Sequence, residues 1–113
     1  MKFKTTQHGS VTVIALQGSL MGGPDAVELN NKVHASTEAG KKLLVVDLGG
    51  VDLMNSSGLG ILIGCASTAK KAGGRLIIAN ASNKVLELFK ITRLSSVFET
   101  HDSIQEAVAA LKQ

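Results

Sequence analysis

Near the middle of the chain lies the run Leu43-Leu44-Val45-Val46-Asp47-Leu48, which is apolar except for Asp47. Such a run is typical of a parallel strand that is covered on both faces. After a connection at 49–55, the stretch from Ser56 to about Ala72 has the length and periodicity of a helix. Arg75–Ala79 then has the composition of a second buried strand. The stretch therefore predicts a strand–helix–strand unit with a right-handed crossover and parallel strands.

The residues before this unit predict a hairpin and a helix. Phe3–Gln7 and Val11–Gln17 have the composition of strands, and the turn residues of His8–Ser10 stand between them. A loop at 18–24 leads into a helical pattern that runs from Asp25 to about Glu38. We expect the first strand to pair antiparallel with the second.

The residues after this unit predict two more helices and a short strand. Asn83–Lys90 has helical spacing with Ser82 as its cap, and Val97–Thr100 has strand composition. Asp102 and Gln105 have the spacing of a capping box for a terminal helix. The element order predicts one α/β domain over residues 1–113. Its mixed sheet is mostly parallel with an antiparallel N-terminal hairpin strand, and about four helices pack on it.

Composition excludes several classes of protein. Of the 113 residues, 44% are hydrophobic and 19% are charged, so the chain has material for a core and is not disordered. Aromatic residues make up only 3%, which argues against base stacking on aromatic side chains. The net charge is +3, and its densest basic group is Lys70, Lys71 and Arg75. A solvated face explains this group better than an anionic partner, so we expect no nucleic acid.

The cysteine count and the absence of long apolar segments favour the cytoplasm. Cys65 is the one cysteine, so no internal disulfide can form and a reducing compartment is expected. Residues 1–7 contain no apolar segment of the kind found in signal peptides. The longest apolar run, near Leu59–Ala66, is too short to cross a bilayer. We therefore expect a cytoplasmic protein that does not insert into a membrane.

The glycine-rich segments do not form a nucleotide-binding motif. Gly58 and Gly60 begin a Gly-x-Gly-x-x-Gly pattern, but its third position is Ile63. The segment Gly40-Lys41-Lys42 lacks the hydroxyl residue of a phosphate-binding loop. The sequence thus predicts no cofactor.

The chain also lacks an evident catalytic or metal-binding group. The residue two positions before Ser56 is Met54, so the Gly-x-Ser-x-Gly motif of serine hydrolases is absent. The histidines are scattered without the spacing of metal ligands: His8, His34 and His101. We expect a protein that is not an enzyme.

One segment remains unusual, namely Asp52-Leu53-Met54-Asn55-Ser56-Ser57-Gly58-Leu59-Gly60. Asn55 or Ser56 can cap the following helix, but a cap alone does not require two serines and two glycines. Helical spacing separates a sheet-facing stripe, formed by Ile61, Leu62, Cys65 and Ala69, from a second stripe, formed by Ser56, Leu59, Gly60 and Ile63. The second stripe is either a partly exposed apolar surface for a partner or a surface covered by a neighbouring helix.

Ser56 is well placed for a phosphate. The start of a helix offers free N–H groups and the positive end of the helix dipole, so a phosphate there does not unfold the domain. Removing water from the same charge against an apolar or acidic partner would cost free energy. The sequence therefore allows a switch in which binding changes while the fold does not.

At these residues the chain resembles the STAS domain family, and within it the bacterial anti-sigma factor antagonists. The resemblance covers nearly the whole chain. It rests on Gly18-Ser19-Leu20, Val45-Val46-Asp47-Leu48, Met54-Asn55-Ser56-Ser57-Gly58-Leu59-Gly60, Gly73-Gly74 and the helix Lys84–Phe89.

The resemblance implies a partner-switching role. In this family the unphosphorylated antagonist binds an anti-sigma factor, which is also a serine kinase, and thereby releases a sigma factor. The kinase uses ATP to phosphorylate the antagonist, and a serine phosphatase resets it. Ser56 is then the phosphorylated residue, with Ser57 as a structural neighbour. The partner-binding residues are Asn55, Ser56, Ser57, Gly58, Leu59, Gly60, Ile63 and Met21.

The sequence departs from the family pattern in two places. Asn55 stands where the family commonly has Asp, and Met21 stands where many members have Asp, in a loop lengthened by Gly22 and Gly23. Two alternatives stay open. One is a STAS module of an assembly that does not use phosphorylation, such as a lipid-transport or signalling complex. The other is a small enzyme or nucleotide binder on a similar fold.

Overall fold

A computed structural model describes residues 2–92 and 98–112, apart from the side chain of Ala26. The strands are β1 (Lys2–His8), β2 (Val11–Leu20), β3 (Leu43–Met54), β4 (Arg75–Ala79) and β5 (Glu99–His101). The helices are α1 (Pro24–Glu38), α2 (Ser56–Lys71), α3 (Asn83–Ile91) and α4 (Ile104–Leu111). Among the described helices, none combines the length and apolar character that crossing a bilayer requires.

The five strands form one mixed sheet in the order β1-β2-β3-β4-β5. β1 pairs antiparallel with β2, and the other neighbours pair parallel, which confirms the predicted fold class. Val11 lies beside Leu43, and Leu43 beside Arg75, so the three central strands begin at the same end of the sheet. The turns that follow β2, β3 and β4 therefore meet at the opposite end, and α2 starts there.

The two faces of the sheet are covered unequally. Alternate residues point to opposite faces of a strand, so neighbours such as Val45 and Val46 belong to different halves of the core. Val46 packs with residues of α1, α2 and α3, including Leu29, Leu62 and Phe89. Val45 packs with α4 on the other face. Burial on both sides explains the continuous apolar run at 43–48.

Two strands are longer than the sequence predicted. β2 continues past Gln17 to Leu20, and β3 continues past Leu48 to Met54, because the two extensions pair with each other. The ladder is irregular between Ala15 and Gln17, where Gly50 of β3 approaches the backbone of β2 closely. Glycine has low strand propensity, but tertiary pairing overrides it here.

The C-terminal predictions need two corrections. The last strand begins at Glu99, later than the predicted start at Val97, which lies outside the described residues. Phe98, which was predicted to belong to the strand, is buried and stacks on Phe89. The cap of α4 is Ser103, whose hydroxyl accepts a hydrogen bond from the N–H of Glu106 at 3.1 Å. The predicted capping pair at Asp102 and Gln105 is wrong by one residue, because Ser103 and Glu106 form the better Ser-x-x-Glu pair.

Candidate functional site

Helix α2 begins with a complete side-chain cap. Asn55 has an extended backbone, and its Oδ1 accepts a hydrogen bond from the N–H of Gly58 at 2.9 Å. The carbonyl of Asn55 accepts the first bond of the helix from Leu59 at 2.9 Å. Of the two caps that the sequence allowed, the structure thus uses Asn55. The hydroxyl of Ser56 is not needed to hold the helix.

The same asparagine ties the helix to the loop after β2. Its Nδ2 donates to the carbonyl oxygen of Met21 at 3.4 Å. Gly22 follows with φ +100°, and a β-carbon there would lie 3.2 Å from the Cβ of Ser57. Glycine suits this position for two reasons. It adopts the positive φ without strain, and it has no side chain to crowd Ser57. The segment Met21–Gly23 is therefore part of the site.

Gly58 is buried beneath this loop. A β-carbon at Gly58 would overlap the backbone carbonyl of Leu20, lying 2.8 Å from its carbon atom and closer still to its oxygen. The absence of a side chain allows the first turn of α2 to rest directly on the end of β2. Gly58 is thus a buried structural residue that the side chains of a partner do not contact.

The placement of Leu59 on a stripe apart from the sheet-facing one is wrong. Its side chain is 1% exposed and belongs to the core with Leu62, Cys65 and Ala69. These positions are three to four residues apart and form one helical stripe, which faces the sheet. Ile61, which was expected on that stripe, is only half-buried, as is Ile63. The helix is therefore rotated so that its first leucine enters the core.

The exposed part of the site consists of small polar residues and a few apolar ones. Ser56, Ser57 and Gly60 are exposed. The hydroxyl of Ser56 makes no hydrogen bond with the described part of the chain. Met21, which the resemblance placed at the site, is 46% exposed.

Sequence reasoning missed two apolar residues on neighbouring elements. Leu53, near the end of β3, is 56% exposed, and Val27, in the second turn of α1, is 61% exposed. Leu53 stood in a segment interpreted as a connection, so strand alternation was not applied to it. The polar neighbours of Val27 on α1 were the only signal for its exposure.

A groove of about 650 Å³ runs between α1 and α2 from Ser57 toward Lys71 at the end of α2. Val27 and Asn30 of α1 line one side, and Ser57, Gly60 and Gly64 of α2 line the other. A β-carbon at either glycine would meet no atom within 4 Å, so these positions open onto the groove. A flat wall of small residues lets another chain approach the helix backbone.

The electrostatic setting of Ser56 suits an anion. The first turn of α2 contains no acidic residue, and the last turn carries Lys70 and Lys71. The Asn55 cap occupies one of the free N–H groups at the helix start, and others remain directed to solvent. An added negative charge there is stabilised by the dipole of the helix.

The described residues show no second reactive centre. Among residues 2–92 and 98–112, no group of three or more His, Cys, Asp or Glu side chains is placed to hold a metal ion. Cys65 is buried in the core, and burial raises the pKa of its thiol to about 12. Ser56 and its surroundings are thus the candidate functional site.

Comparison with known proteins identifies the family. Residues 2–107 match the profile of the STAS domain. The chain belongs to the STAS domain family. One STAS relative is BtrV of Bordetella bronchiseptica, provisionally named an anti-sigma factor antagonist. It is 28% identical over 99% of this chain and 96% of its own length. The anti-sigma-B factor antagonist of Bacillus subtilis is 35% identical over 63% of this chain and 64% of its own.

A solved structure shares the fold of this STAS chain. The Bacillus cell fate determinant SpoIIAA, in its phosphorylated form, superposes with a TM-score of 0.73. The match covers 96% of this STAS chain and 98% of SpoIIAA, at 21% identity. At this identity the comparison supports the shared fold, and the resemblance inferred from the sequence is confirmed at the level of the family.

Proposed function

We propose that this STAS protein acts in the cytoplasm as an anti-sigma factor antagonist controlled by phosphorylation of Ser56. The unphosphorylated form binds an anti-sigma factor that is also a serine kinase, and a sigma factor is thereby released. Phosphorylation of Ser56 ends the binding, and a serine phosphatase restores it. The role is one of regulated binding, and the chain itself performs no catalysis.

A single observation carries the proposal, namely that Ser56 is exposed while Asn55 performs the capping. A serine that capped the helix through its own hydroxyl would lose that contact on phosphorylation. Here the cap bond joins Asn55 and Gly58 and leaves the hydroxyl of Ser56 available to a kinase. The relatives named anti-sigma factor antagonists support this choice of partner.

The modification is a phosphoryl transfer from ATP. The Oγ of Ser56 attacks the γ-phosphorus, its proton passes to a base of the kinase, and the bond to the β–γ bridging oxygen breaks to give ADP. The phosphatase then transfers the phosphoryl group to water. The product carries about two negative charges at neutral pH and three acceptor oxygens.

The new charge changes docking more than it changes folding. At the helix start it meets free N–H groups and the positive end of a dipole, and no carboxylate lies in that turn. Against a partner, the same group must lose water while lying among the exposed Met21 and Gly60. The domain therefore stays folded while the complex dissociates.

The proposed partner surface combines the exposed residues of the site. A partner contacts the loop at Met21, the cap at Asn55 and the exposed turn of α2. Gly58 and Leu59 support this surface from below, by letting α2 rest on β2 and the core. The full set of contact residues is Met21, Asn55, Ser56, Ser57, Gly60 and Ile63.

Phosphorylation is tested with an anti-sigma factor serine kinase from the same organism and radiolabelled ATP. Wild type and Ser57→Ala are expected to incorporate phosphate, and Ser56→Ala is expected to incorporate none. Ser57→Ala is the matched control, because it removes the adjacent exposed hydroxyl and keeps the cap. Equal labelling of Ser56→Ala and wild type would contradict the assignment of Ser56.

Binding is tested by capture of the same kinase on immobilised antagonist. Wild type and Ser56→Ala are expected to retain it, and Ser56→Asp is expected to lose it. If Ser56→Asp binds as tightly as wild type, the switch is absent. The protein then fits the alternative of a STAS module in an assembly that does not use phosphorylation.

A further inference from the structure

The end of the domain opposite Ser56 carries a cluster of basic side chains, which we call the basic end. All six of its members are exposed, and they make up half of the twelve Lys and Arg residues of the chain. The basic end consists of Lys41, Lys42, Lys70, Lys71, Arg75 and Lys112.

The sheet topology brings these residues together from three parts of the chain. Lys41 and Lys42 precede β3, and Arg75 opens β4, where its N–H donates to the carbonyl of Lys42 at 3.0 Å. Lys70 and Lys71 form the last turn of α2, which returns to the same end of the sheet. Lys112 ends α4 with its Nζ beside the hairpin turn, 3.3 Å from where a β-carbon of Gly9 would lie.

Few acidic side chains balance this charge. At that end, Glu38 pairs with His34 at 3.0 Å, and Glu99 pairs with Arg75. Within the described residues the five lysines of the basic end take part in no ion pair. The ammonium groups of these lysines therefore face solvent.

The opposite end carries charges of both signs. Asp25 lies in the first turn of α1, Asp52 near the end of β3, and Asp102 after β5. Lys84 lies at the start of α3 beside Asp52, and Lys2 opens β1, which runs antiparallel to β2 and so begins at the same end. Excess positive charge is therefore concentrated at the basic end, and the net charge of +3 understates the local field there.

The sequence alone favoured a solvated face for Lys70, Lys71 and Arg75, but the fold adds three further lysines to that group. We propose that the basic end binds electrostatically to an anionic phospholipid surface. Five of its six members are lysines, whose compact charges suit a diffuse layer of phosphates better than one shaped phosphate site. The described segments at that end are turns and the carboxyl ends of α1, α2 and α4, and no described helix begins there. Proteins that dock on duplex DNA commonly place a projecting helix in a groove and use helix N-termini on phosphates.

The aromatic residues also argue against single-stranded nucleic acid. Phe89 and Phe98 stack on each other in the core with ring centroids 5.0 Å apart. Phe3, the remaining aromatic residue, lies on the edge strand under Lys32. None of the three can stack on a base at the basic end.

Binding in this way fixes the orientation of the domain. The opposite end points away from the lipid, because it lacks the excess of lysines that an anionic surface attracts. Ser56 lies at this opposite end, so it faces the solvent and remains open to a protein partner. The proposal concerns a different surface from that of Ser56 and holds whether or not Ser56 is phosphorylated.

The test is co-sedimentation of the full chain with vesicles. Equimolar phosphatidylglycerol and phosphatidylcholine is compared with pure phosphatidylcholine, at low and at high salt. The triple variant Lys41→Gln/Lys42→Gln/Lys71→Gln is expected to bind the anionic vesicles about 100-fold more weakly, at about fivefold per lost charge. The control Lys2→Gln/Lys4→Gln/Lys84→Gln removes three charges elsewhere and is expected to keep most of the binding. Thermal unfolding followed by circular dichroism checks that both variants are folded.

Binding that needs phosphatidylglycerol, falls at high salt and is lost selectively in the first variant supports the proposal. Equal binding to pure phosphatidylcholine would overturn it, as would no binding at low salt or equal losses in the two triple variants. A fluorescent DNA duplex in the same buffer provides the last comparison. If the chain binds the duplex more tightly than the vesicles, the basic end is a nucleic-acid surface and the lipid proposal fails.

Discussion

Gly58 and Leu20 lie in direct backbone contact, where a β-carbon on the glycine would overlap the leucine carbonyl. This contact joins the first turn of α2 to the last residue of β2. It fixes the height of the helix start above the sheet and hence the position of Ser56. The geometry of the candidate site thus depends on a residue with no side chain.

Replacing Gly58 with alanine is expected to destabilise the protein by at least about 2 kcal/mol, because the colliding atoms belong to the backbone and cannot turn away. Gly60→Ala is the matched control on the same helix, where a β-carbon meets no atom within 4 Å. It is expected to raise the free energy of unfolding by about 0.5–1 kcal/mol, since alanine favours helix. Urea unfolding measures both, and equal effects would contradict the contact.

The cap at Asn55 is expected to contribute about 1 kcal/mol, which Asn55→Ala removes. Asn55→Asp keeps an oxygen for the N–H of Gly58 but loses the Nδ2 donor to Met21. We expect this variant to stay within about 0.5 kcal/mol of wild type, because Asp and Asn cap equally well. Urea unfolding of the three proteins tests the order, and an Asp variant as unstable as the Ala variant would contradict it.

A negative charge at Ser56 is expected to leave the fold intact. Ser56→Asp should change the free energy of unfolding by no more than about 1 kcal/mol, and in the stabilising direction, because the charge meets the positive end of the α2 dipole. Thermal unfolding at low salt measures the change, with Ser56→Asn as the neutral control. A loss of several degrees relative to Ser56→Asn would show that the site does not accept an anion.

Cys65 is expected to be inert in the folded protein. Burial raises the pKa of its thiol to about 12, so almost no thiolate is present near neutral pH, and the side chain is enclosed. Reaction with a thiol reagent such as Ellman's reagent should require unfolding and should accelerate with urea. Rapid labelling without denaturant would place the thiol at the surface.

The surface group of Arg75, Glu99 and His101 predicts a small acid sensitivity. Hydrogen bonds from His101 and then from Arg75 hold the pKa of the Glu99 carboxyl below its usual range. Its contribution is therefore fully present above the unfolded-state pKa of about 4.3, and it is lost as pH falls through the lower folded-state pKa. The carboxyl is 42% exposed, so the contribution is at most about 1 kcal/mol.

Comparison of wild type with Glu99→Gln measures this effect. The difference in the free energy of unfolding should be present at pH 7 and should disappear in strong acid, where both side chains are neutral. A difference that persisted undiminished in strong acid would contradict the direction of the pKa change.

The order and type of the elements could be predicted because their signals are local. The run at 43–48, the hairpin turn and the cap at Ser82 each depend on neighbouring residues. The structure agrees with the run and the cap, and it places the turn at Gly9 and Ser10, since His8 still belongs to β1. The extensions of β2 and β3 could not be predicted, since Gly18 and Gly50 enter strands only by pairing across the sheet.

The position of the candidate site in the chain was predicted, but which of its residues are buried was not. Spacing located Ser56 at the start of a helix and Asn55 as a possible cap, because capping is a local pattern. Which stripe of α2 faces the core depends on how the helix rotates over the sheet, and the contact of Gly58 with Leu20 sets that rotation. A single sequence does not contain this contact, so Leu59 was placed on a stripe apart from the one that faces the sheet.

The sheet order β1-β2-β3-β4-β5 has a consequence for how the protein is made. Every strand pairs with the one synthesised just before it, so each addition closes one hairpin turn or one helical crossover and none must wait for a more distant segment. The sheet can therefore grow strand by strand as the chain leaves the ribosome. Helix α4 packs across β2, β3 and β4 and seals the second face only after these strands have assembled.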